Sequence, residues 1–572
     1  MSQILQVFYS LFSALIVSTA IPNEMLPFGS PFLGLFALVP FYIAIQNSKS
    51  YKEAFLLSFL HGFTIHLLSS FWLGNFQGYS FFTLGASDIG TGFVEAFMSF
   101  FFYFPILFKN KSASLEEFSE KTTLGLAFRP LWFASLYTAW EWVKSTGFLA
   151  YPWGTLSMTA FRWPLITQIA DITGPYGITF LYAFFSATFA EGLTILPRIN
   201  KSKQLFAAYR STVLACVSLL AIASLYGIYE YTIQREPVKT LNAVLVQQNS
   251  DPLISSEIEN IENSQRLSEE KINEFKENGK DCDLVVWSEA VLSKRFPAAL
   301  RYYEHIPVTE PLVSFIQRQK TPFIIGAPVT LSLEKRQFGN SAILINKDGE
   351  YKGSYQKMHL VPFAELIPGS QYALVRRIIK KMAGFSYGWT PGKKVVLFDI
   401  PISTPAKDNS SFDIVTMDEN AEKQDSVLIS TPICFDDSAA EVCRAQFLCG
   451  SEMFMNITND AWSNTKSAEI QHFVVAHYRA IEYRTTLARS TNAGYTVVIN
   501  PAGKILNSLP LFEQTALAAE IPVYKRQMTI YAILGNWLPK ISLLLAAIYI
   551  LRTVYKKRKE SSETSVFNDG NN

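Results

Sequence analysis

Charge is spread along this chain in a way that leaves few folds open. Between Ser2 and Lys49 the only charged side chain is Glu24. Apolar runs lie at roughly 3–21, 30–46, 54–74, 91–108, 131–148, 176–196 and 211–231, and an eighth lies near 528–551. A bilayer-crossing helix needs ~20 mostly apolar residues. Seven such runs in close succession predict a helical membrane domain, because lipid satisfies no backbone polar group and a helix satisfies its own. The first run lacks a basic flank and a small-x-small cleavage site, so it reads as a span rather than a cleaved leader. The low overall share of charge, 17%, against ~25% in ordinary globular chains, argues against a wholly soluble enzyme and against disorder. A net charge of +2 supplies no global basic field, so no nucleic-acid partner is expected. Five cysteines are too few and too odd for a disulfide scaffold.

Loop charges orient the runs. Lys49 and Lys52, then Lys109, Lys111, Lys121 and Arg129, then Arg198, Lys201, Lys203 and Arg210, and finally Arg552 and Lys556–Lys559 all flank alternate ends. The loops 22–29 and 75–90 have no Lys or Arg, and 149–175 has only Arg162. Lys and Arg mark the cytoplasmic side. Both termini are therefore expected in the cytoplasm, with the segment between runs seven and eight on the far side.

That segment, 238–525, has no bilayer-length apolar run. Leu241–Gln247, Leu284–Ser288, Phe323–Gly326, Val427–Ser430 and Met453–Asn456 read as strands. Ala342–Ile345 with Asp348-Gly349 and Tyr351, and Thr496–Ile499 with Pro501–Gly503 and Lys504–Leu506, read as hairpins. Residues 255–279 read as a solvated helix and 466–489 as a long helix. Residues 402–425 and the tail after Glu560 read as loops. The pattern is α/β. The domains expected are 1–235 (seven membrane helices), 238–525 (catalytic), 526–552 (an eighth span) and 553–572 (a cytoplasmic tail).

Three chemically apt residues stand at strand ends. Glu289 closes Leu284-Val-Val-Trp-Ser-Glu289, Lys357 lies in Tyr355-Gln-Lys-Met-His-Leu-Val-Pro362, and Cys434 closes Ser430-Thr-Pro-Ile-Cys434. Taken singly they have ordinary explanations: a solvated strand end, a surface lysine, a core thiol. Together they supply a base, a cation for an oxyanion and a thiol nucleophile.

Val286-Trp-Ser-Glu289, Lys357-Met-His-Leu-Val-Pro-Phe-Ala-Glu365 and Pro432-Ile-Cys434 resemble the three signatures of the nitrilase superfamily. Asn459-Asp-Ala-Trp462, Arg489-Ser-Thr-Asn-Ala-Gly494 and Phe148-Leu-Ala-Tyr-Pro-Trp153-Gly resemble blocks of its membrane-integral branch, the apolipoprotein N-acyltransferase family. The resemblance implies a polytopic membrane domain of eight transmembrane helices carrying a nitrilase-like α-β-β-α sandwich. It implies Glu289 as general base, Lys357 as oxyanion cation and Cys434 as nucleophile. Glu365, Phe435 and Asp436 would support them, with Phe435 and Asp436 standing where the pattern has Tyr and Glu. Trp153, Trp462, Arg376 and Arg377 are the candidate substrate contacts. No metal and no cofactor are implied. The implied reaction moves an acyl chain from a membrane phospholipid, through a Cys434 thioester, to the N-terminal amine of a diacylglyceryl-cysteine on an apolipoprotein. The implied setting is the inner membrane, with the catalytic domain periplasmic.

Two rivals share these features. A membrane-anchored amidase or nitrilase would use the same triad on C–N bonds, but one span would anchor it. A transporter with an external domain would need paired broken helices or mid-membrane charges. Gly384-Phe-Ser-Tyr-Gly388 matches a serine-hydrolase motif, but it lacks the strand before it and the helix after it. The basic stretch Val375–Met382 reads as a solvated or lipid-facing helix. His472 and His477, five apart, do not share a helix face as a zinc pair would. His61 and His66 read as neutral residues bonded to neighbouring helices, and Cys443 and Cys449 could pair, which their spacing alone does not decide.

Overall fold

A computed structural model describes residues 1–75, 80–103, 120–195, 203–251, 254–362, 388–404 and 425–569, with 364–366, 369, 372, 374 and 377 between them. Strands are numbered β1 (Lys239–Gln247), β2 (Leu284–Val286), β3 (Phe323–Ser332), β4 (Gln337–Ile345), β5 (Tyr351–Gln356), β6 (Leu397–Pro401), β7 (Ser426–Ser430), β8 (Met453–Thr458), β9 (Thr486–Thr491), β10 (Val497–Ile499), β11 (Ile505–Ser508) and β12 (Thr515–Val523).

The strands form two six-stranded sheets, β12-β1-β2-β3-β4-β5 and β11-β10-β9-β8-β7-β6. In each, three adjacent strands run parallel, β1-β2-β3 and β7-β8-β9. Alternation of side chains along a strand puts every second residue on the same face. Leu241, Ala243 and Leu245 of β1 join Leu284 and Val286 of β2 in a core shared with Ile429, Phe454 and Leu487 of the second sheet. The intervening Val244, Val246 and Val285 pack with Ile261, Leu267, Phe275, Phe315 and Ile316 of the helices Glu257–Glu277 and Leu312–Gln319. Sheets pressed face to face with helices outside make a sandwich. Ser490 Oγ bridges the two sheets by donating to the Val246 and Val286 carbonyls, both at 3.0 Å.

The helix Lys466–Tyr483 covers the second sheet, and all its residues but Lys466 are buried. Its apolar side joins the sandwich core, and its polar side is used in docking. Glu24 caps its start through Ser467 N at 2.9 Å and Ser467 Oγ at 2.8 Å. Gln471 Nε2 donates to the Pro22 and Ser69 carbonyls at 2.8 and 3.0 Å. The sequence predicts this helix through residue 489, but it stops at Tyr483. Arg484 turns left-handed at φ 47°, and the β-branched Thr485-Thr486 pair leads into β9, as β-branched residues favour strands. Arg484 then pins the junction: Nη2 and Nε reach Asp171 Oδ2 at 2.7 and 2.9 Å, and Nη1 reaches Gln168 Oε1 at 2.6 Å.

Three helices among the described residues are long and apolar enough to cross a membrane: Gln3–Ala20, Tyr209–Thr232 and Trp537–Tyr555. The other apolar runs form helices that are shorter or carry charge inward. The second run breaks into Pro31–Phe36 and Val39–Gln46. Tyr51–Ser69 carries His61, which meets Glu95 Oε1 of the helix Ser87–Tyr103 at 2.7 Å and Ser13 Oγ at 3.2 Å. His66 meets Ser87 Oγ at 2.8 Å. Both histidines bond a neighbouring helix, as expected. The final helix continues to Asp569, where a loop was expected after Glu560. The helix runs into that tail from Lys556–Glu560, whose Lys, Arg and Glu residues are good helix formers. The predicted loop 402–425 lies almost wholly outside the described residues. So do Ser386 and most of the basic stretch 375–382.

Candidate active site

β2 ends two residues before Ser288 and three before Glu289, so the carboxylate leaves the sheet at its edge. Gly326 of β3 allows this turn. A Cβ there would lie 2.4 Å from both Ser288 O and Ala290 N. Glu289 Oε1 accepts from Asn340 Nδ2 of β4 at 2.7 Å and from Lys357 Nζ at 3.1 Å. Its Oε2 accepts from the Asn459 backbone N–H at 2.9 Å. Lys357 follows β5 directly and also reaches Glu365 Oε1 at 2.9 Å. Glu365 Oε2 accepts from Val361 N at 2.8 Å, which fixes it.

Cys434 starts the short turn Cys434–Asp437 beyond β7 with φ at 47°. A left-handed non-glycine residue costs ~1–3 kcal/mol, a strain common where a side chain is aimed for function. Asp436 maintains the turn. It accepts from Ile433 N at 3.2 Å, His359 N at 2.7 Å and Tyr355 OH at 2.8 Å. The short acid therefore ties the thiol's turn to the end of β5 and the residues around Lys357. Phe435 stacks on Trp153, with centroids 5.2 Å apart and planes 3° apart. Trp153 packs against Trp72, and Trp72 packs against Trp462. The loop Trp153 and the domain residue Trp462 thus join one aromatic wall. Arg377 is exposed, and Arg376 lies outside the described residues.

Burial sets the protonation. It pushes Glu289 above the ordinary carboxyl value, with Glu365 adding to the effect and Lys357 and Asn340 opposing it. It also pushes the Cys434 thiol well up, helped by the Glu289 charge. Lys357 would fall on burial alone, but the negative charges of Cys434, Glu289 and Glu365 outweigh this and keep it a cation.

Sequence reasoning did not find Asn340. Its only signal is a polar residue inside a strand, beside Gly339, where Asn is disfavoured. It also missed a buried chain next to the thiol. Cys434 Sγ–H points to Asp460 Oδ1 at 3.9 Å, and Asp460 Oδ2 meets His472 Nδ1 at 2.6 Å. His472 Nε2 meets Asp437 Oδ1 at 3.0 Å, and Arg489 donates to the other oxygen of Asp437. His477 instead bonds the Gly503 carbonyl, so the two histidines part as predicted. Cys434, Asp460 and His472 lie close enough to hold an ion. Burial opposes the His472 charge, but Asp460 and Asp437 push its pKa up to about 10. Both its N–H groups are then donors, one to Asp460 and one to Asp437. Cys443 is buried, Cys449 is exposed, and both are free thiols.

The family description "Apolipoprotein N-acyltransferase N-terminal domain" matches residues 13–188, and "Carbon-nitrogen hydrolase" matches residues 243–531. Apolipoprotein N-acyltransferase 2 of Treponema denticola is 39% identical, covering 97% of this chain and 98% of its own. The chain belongs to the apolipoprotein N-acyltransferase family. Apolipoprotein N-acyltransferase 2 of Treponema pallidum is 36% identical over 96% of this chain and 95% of its own. A carbon–nitrogen hydrolase of Helicobacter pylori G27, known by crystal structure, is 18% identical with a TM-score of 0.34, covering 50% of this chain and 90% of that one.

Proposed function

We propose that this enzyme N-acylates lipoproteins by a two-step transfer through Cys434. Glu289 takes the thiol proton, and the sulfur attacks an acyl ester of a membrane phospholipid, phosphatidylethanolamine in our reading. The tetrahedral oxyanion is met by Lys357. The C–O bond breaks, Glu289 returns its proton to the departing lysophospholipid oxygen, and a thioester remains. The α-amine of a diacylglyceryl-cysteine then attacks, and the amide leaves. The observation that carries this reading is the cluster of buried Glu289 and Lys357 with half-buried Glu365, which shares its electrostatics with Cys434. Two carboxylates compete for the thiol proton. Burial would raise Asp460, but His472 outweighs it and keeps Asp460 low, whereas Glu289 is raised. The raised carboxyl is the better base.

The test is to incubate the purified protein with phospholipid labelled in its acyl chain. Labelled protein should form at Cys434 and discharge onto a diacylglyceryl-cysteine peptide. Release of free fatty acid with no transfer would favour the hydrolase reading instead.

Activity should rise with pH through the ionisation of Glu289, since the protonated acid takes no proton. The acid limb of kcat/KM is therefore expected above the ordinary carboxyl value of 4.5. Asn340→Ala removes the 2.7 Å donor to the carboxylate, so the limb should move further up and the rate should fall more at pH 6 than at pH 8. A limb that does not move would refute the role of Glu289.

We further propose eight spans, with residues 238–525 periplasmic and both termini cytoplasmic. The fifteen Lys and Arg residues at the alternate run ends support this, because basic loops resist translocation. A phosphatase reporter fused after Asn409 should be active, and one fused after Lys559 should be silent. The reverse result would mean that a span was miscounted.

A further inference from the structure

The nucleophile has a second carboxylate beside it that the first half-reaction does not use. Asp460 Oδ1 accepts from Cys434 Sγ at 3.9 Å. Its other oxygen is tied into the chain His472–Asp437–Arg489, and all four side chains are buried. Anion and cation alternate along this chain, so Asp460 is fixed in place and charged, with one oxygen left for the sulfur.

That charge opposes thiolate formation, because an anion next to the sulfur disfavours the charged form. Around the sulfur, four carboxylates (Glu289, Glu365, Asp437 and Asp460) face three cations (Lys357, His472 and Arg489). The neighbouring Glu469 is pushed well up by burial and by the Asp460 charge, so it stays neutral. Asp436, in the turn with Cys434, is pushed up to about 7 by burial and adds to the anionic side in part, so the excess is at least one negative charge. Acylation then converts the thiol to a thioester, which has no proton to donate. Asp460 Oδ1 loses its one partner among the described residues at that moment, and a buried acceptor without a donor is unfavourable. The next reactant is an amine that is cationic in water. An α-ammonium brings both the missing donor and the missing positive charge.

We propose that Asp460 receives the α-ammonium of the acceptor in the second half-reaction, with His472, Asp437 and Arg489 as the positioning residues that aim it. This rests on the transferase reading above. One N–H of the ammonium bonds Asp460 Oδ1, and no covalent bond to Asp460 forms. A second proton passes to Glu289, which is unprotonated once the lysophospholipid has left. The freed amine bonds the thioester carbonyl carbon. The C–S bond breaks, the nitrogen gives its surplus proton to the sulfur, and Glu289 later releases its own to solvent.

The test uses the full-length protein with labelled phospholipid and a synthetic peptide bearing an N-terminal diacylglyceryl-cysteine. In Asp460→Asn, acyl-enzyme should accumulate, while transfer to the peptide slows on the order of 100-fold and the KM for peptide rises. Hydroxylamine, a small nucleophile that is neutral at pH 7, should discharge the variant and the wild type alike. Asp460→Glu should recover part of the transfer, and His472→Gln should slow transfer in the same direction. Equal loss of acylation and transfer in Asp460→Asn would overturn the proposal, as would wild-type transfer. If the wild-type protein itself forms no acyl-enzyme, the transferase reading fails first and this inference falls with it.

Discussion

Cys434→Ala should abolish both acyl-protein formation and lipoprotein transfer while leaving a folded protein. The loss should be complete, because Cys434 is the acyl carrier of the proposed route. Removing a nucleophile that works as a unit with its base costs up to ~10⁶-fold in comparable covalent enzymes. Stability should barely change. The side chain loses one sulfur atom and, among the described residues, one polar contact, the long one to Asp460, so the small cost expected is that of leaving Asp460 Oδ1 without this donor. The turn is held by Asp436, whose bonds to Ile433, His359 and Tyr355 do not involve the thiol. The expected stability change is within ~1 kcal/mol. The remaining cysteines serve as an internal control. Cys443 is sealed in the core, and Cys282 is pushed up to about 12 by burial, so neither forms a thiolate near neutral pH. Cys449 is exposed but lies in another helix, Ala440–Leu448, at its cap. Mass spectrometry of the labelled wild-type protein should place the acyl group on Cys434 alone. Acyl label persisting in Cys434→Ala would show another nucleophile.

What could be read from the residues depended on how local the signal was. Glu289 and Cys434 follow short apolar strands and Lys357 follows the more polar β5, and strand ends are local features. The sandwich brings all three together because β2, β5 and β7 end on the same side of the shared core. Asp436 was legible as a charge, but not as the hook that fastens Cys434 to Met358 and His359. That role needs two strands from different sheets to be neighbours. The chain from Asp460 to Arg489 was invisible for the same reason. Its members are separated by 12, 35 and 52 residues, and no periodicity links them. Asp460 and Arg489 left clues, since each stands in a family-like block, and Arg489 is also a charge in the middle of the buried strand Thr486–Thr491. The span count is the reverse case. Apolar runs are easily read, but buried pairs such as His61–Glu95 lower the hydropathy of helices that neighbouring helices enclose.

Lys357→Met should silence both half-reactions, and by more than the loss of an oxyanion donor explains. Losing one such donor costs ~10²–10³ in rate. Lys357 has a second task, since it lies between two carboxylates, 3.1 Å from Glu289 and 2.9 Å from Glu365. Its charge is the main force that lowers Glu289 against the pull of burial, and Glu365 acts the other way. With Met in its place, buried Glu289 and half-buried Glu365 are left without the cation between them. Glu289 must move further up and remain protonated at neutral pH, so the base is lost along with the oxyanion cation. The sign can be checked in two ways. Residual activity should rise with pH over a range where the wild type is already flat. Stability should move oppositely: the folded variant binds a proton that the unfolded chain has released, so its melting temperature should fall, relative to wild type, as pH rises from 5 to 8. Adding Glu365→Gln removes the charge that pushes Glu289 up. The double variant should therefore regain a lower acid limb while its ceiling stays near the single variant's, because the oxyanion cation is still missing. If Glu365→Gln instead restored the rate itself, Lys357 would be only a counter-ion for the acids, and the oxyanion would have to be met by backbone N–H groups near the nucleophile.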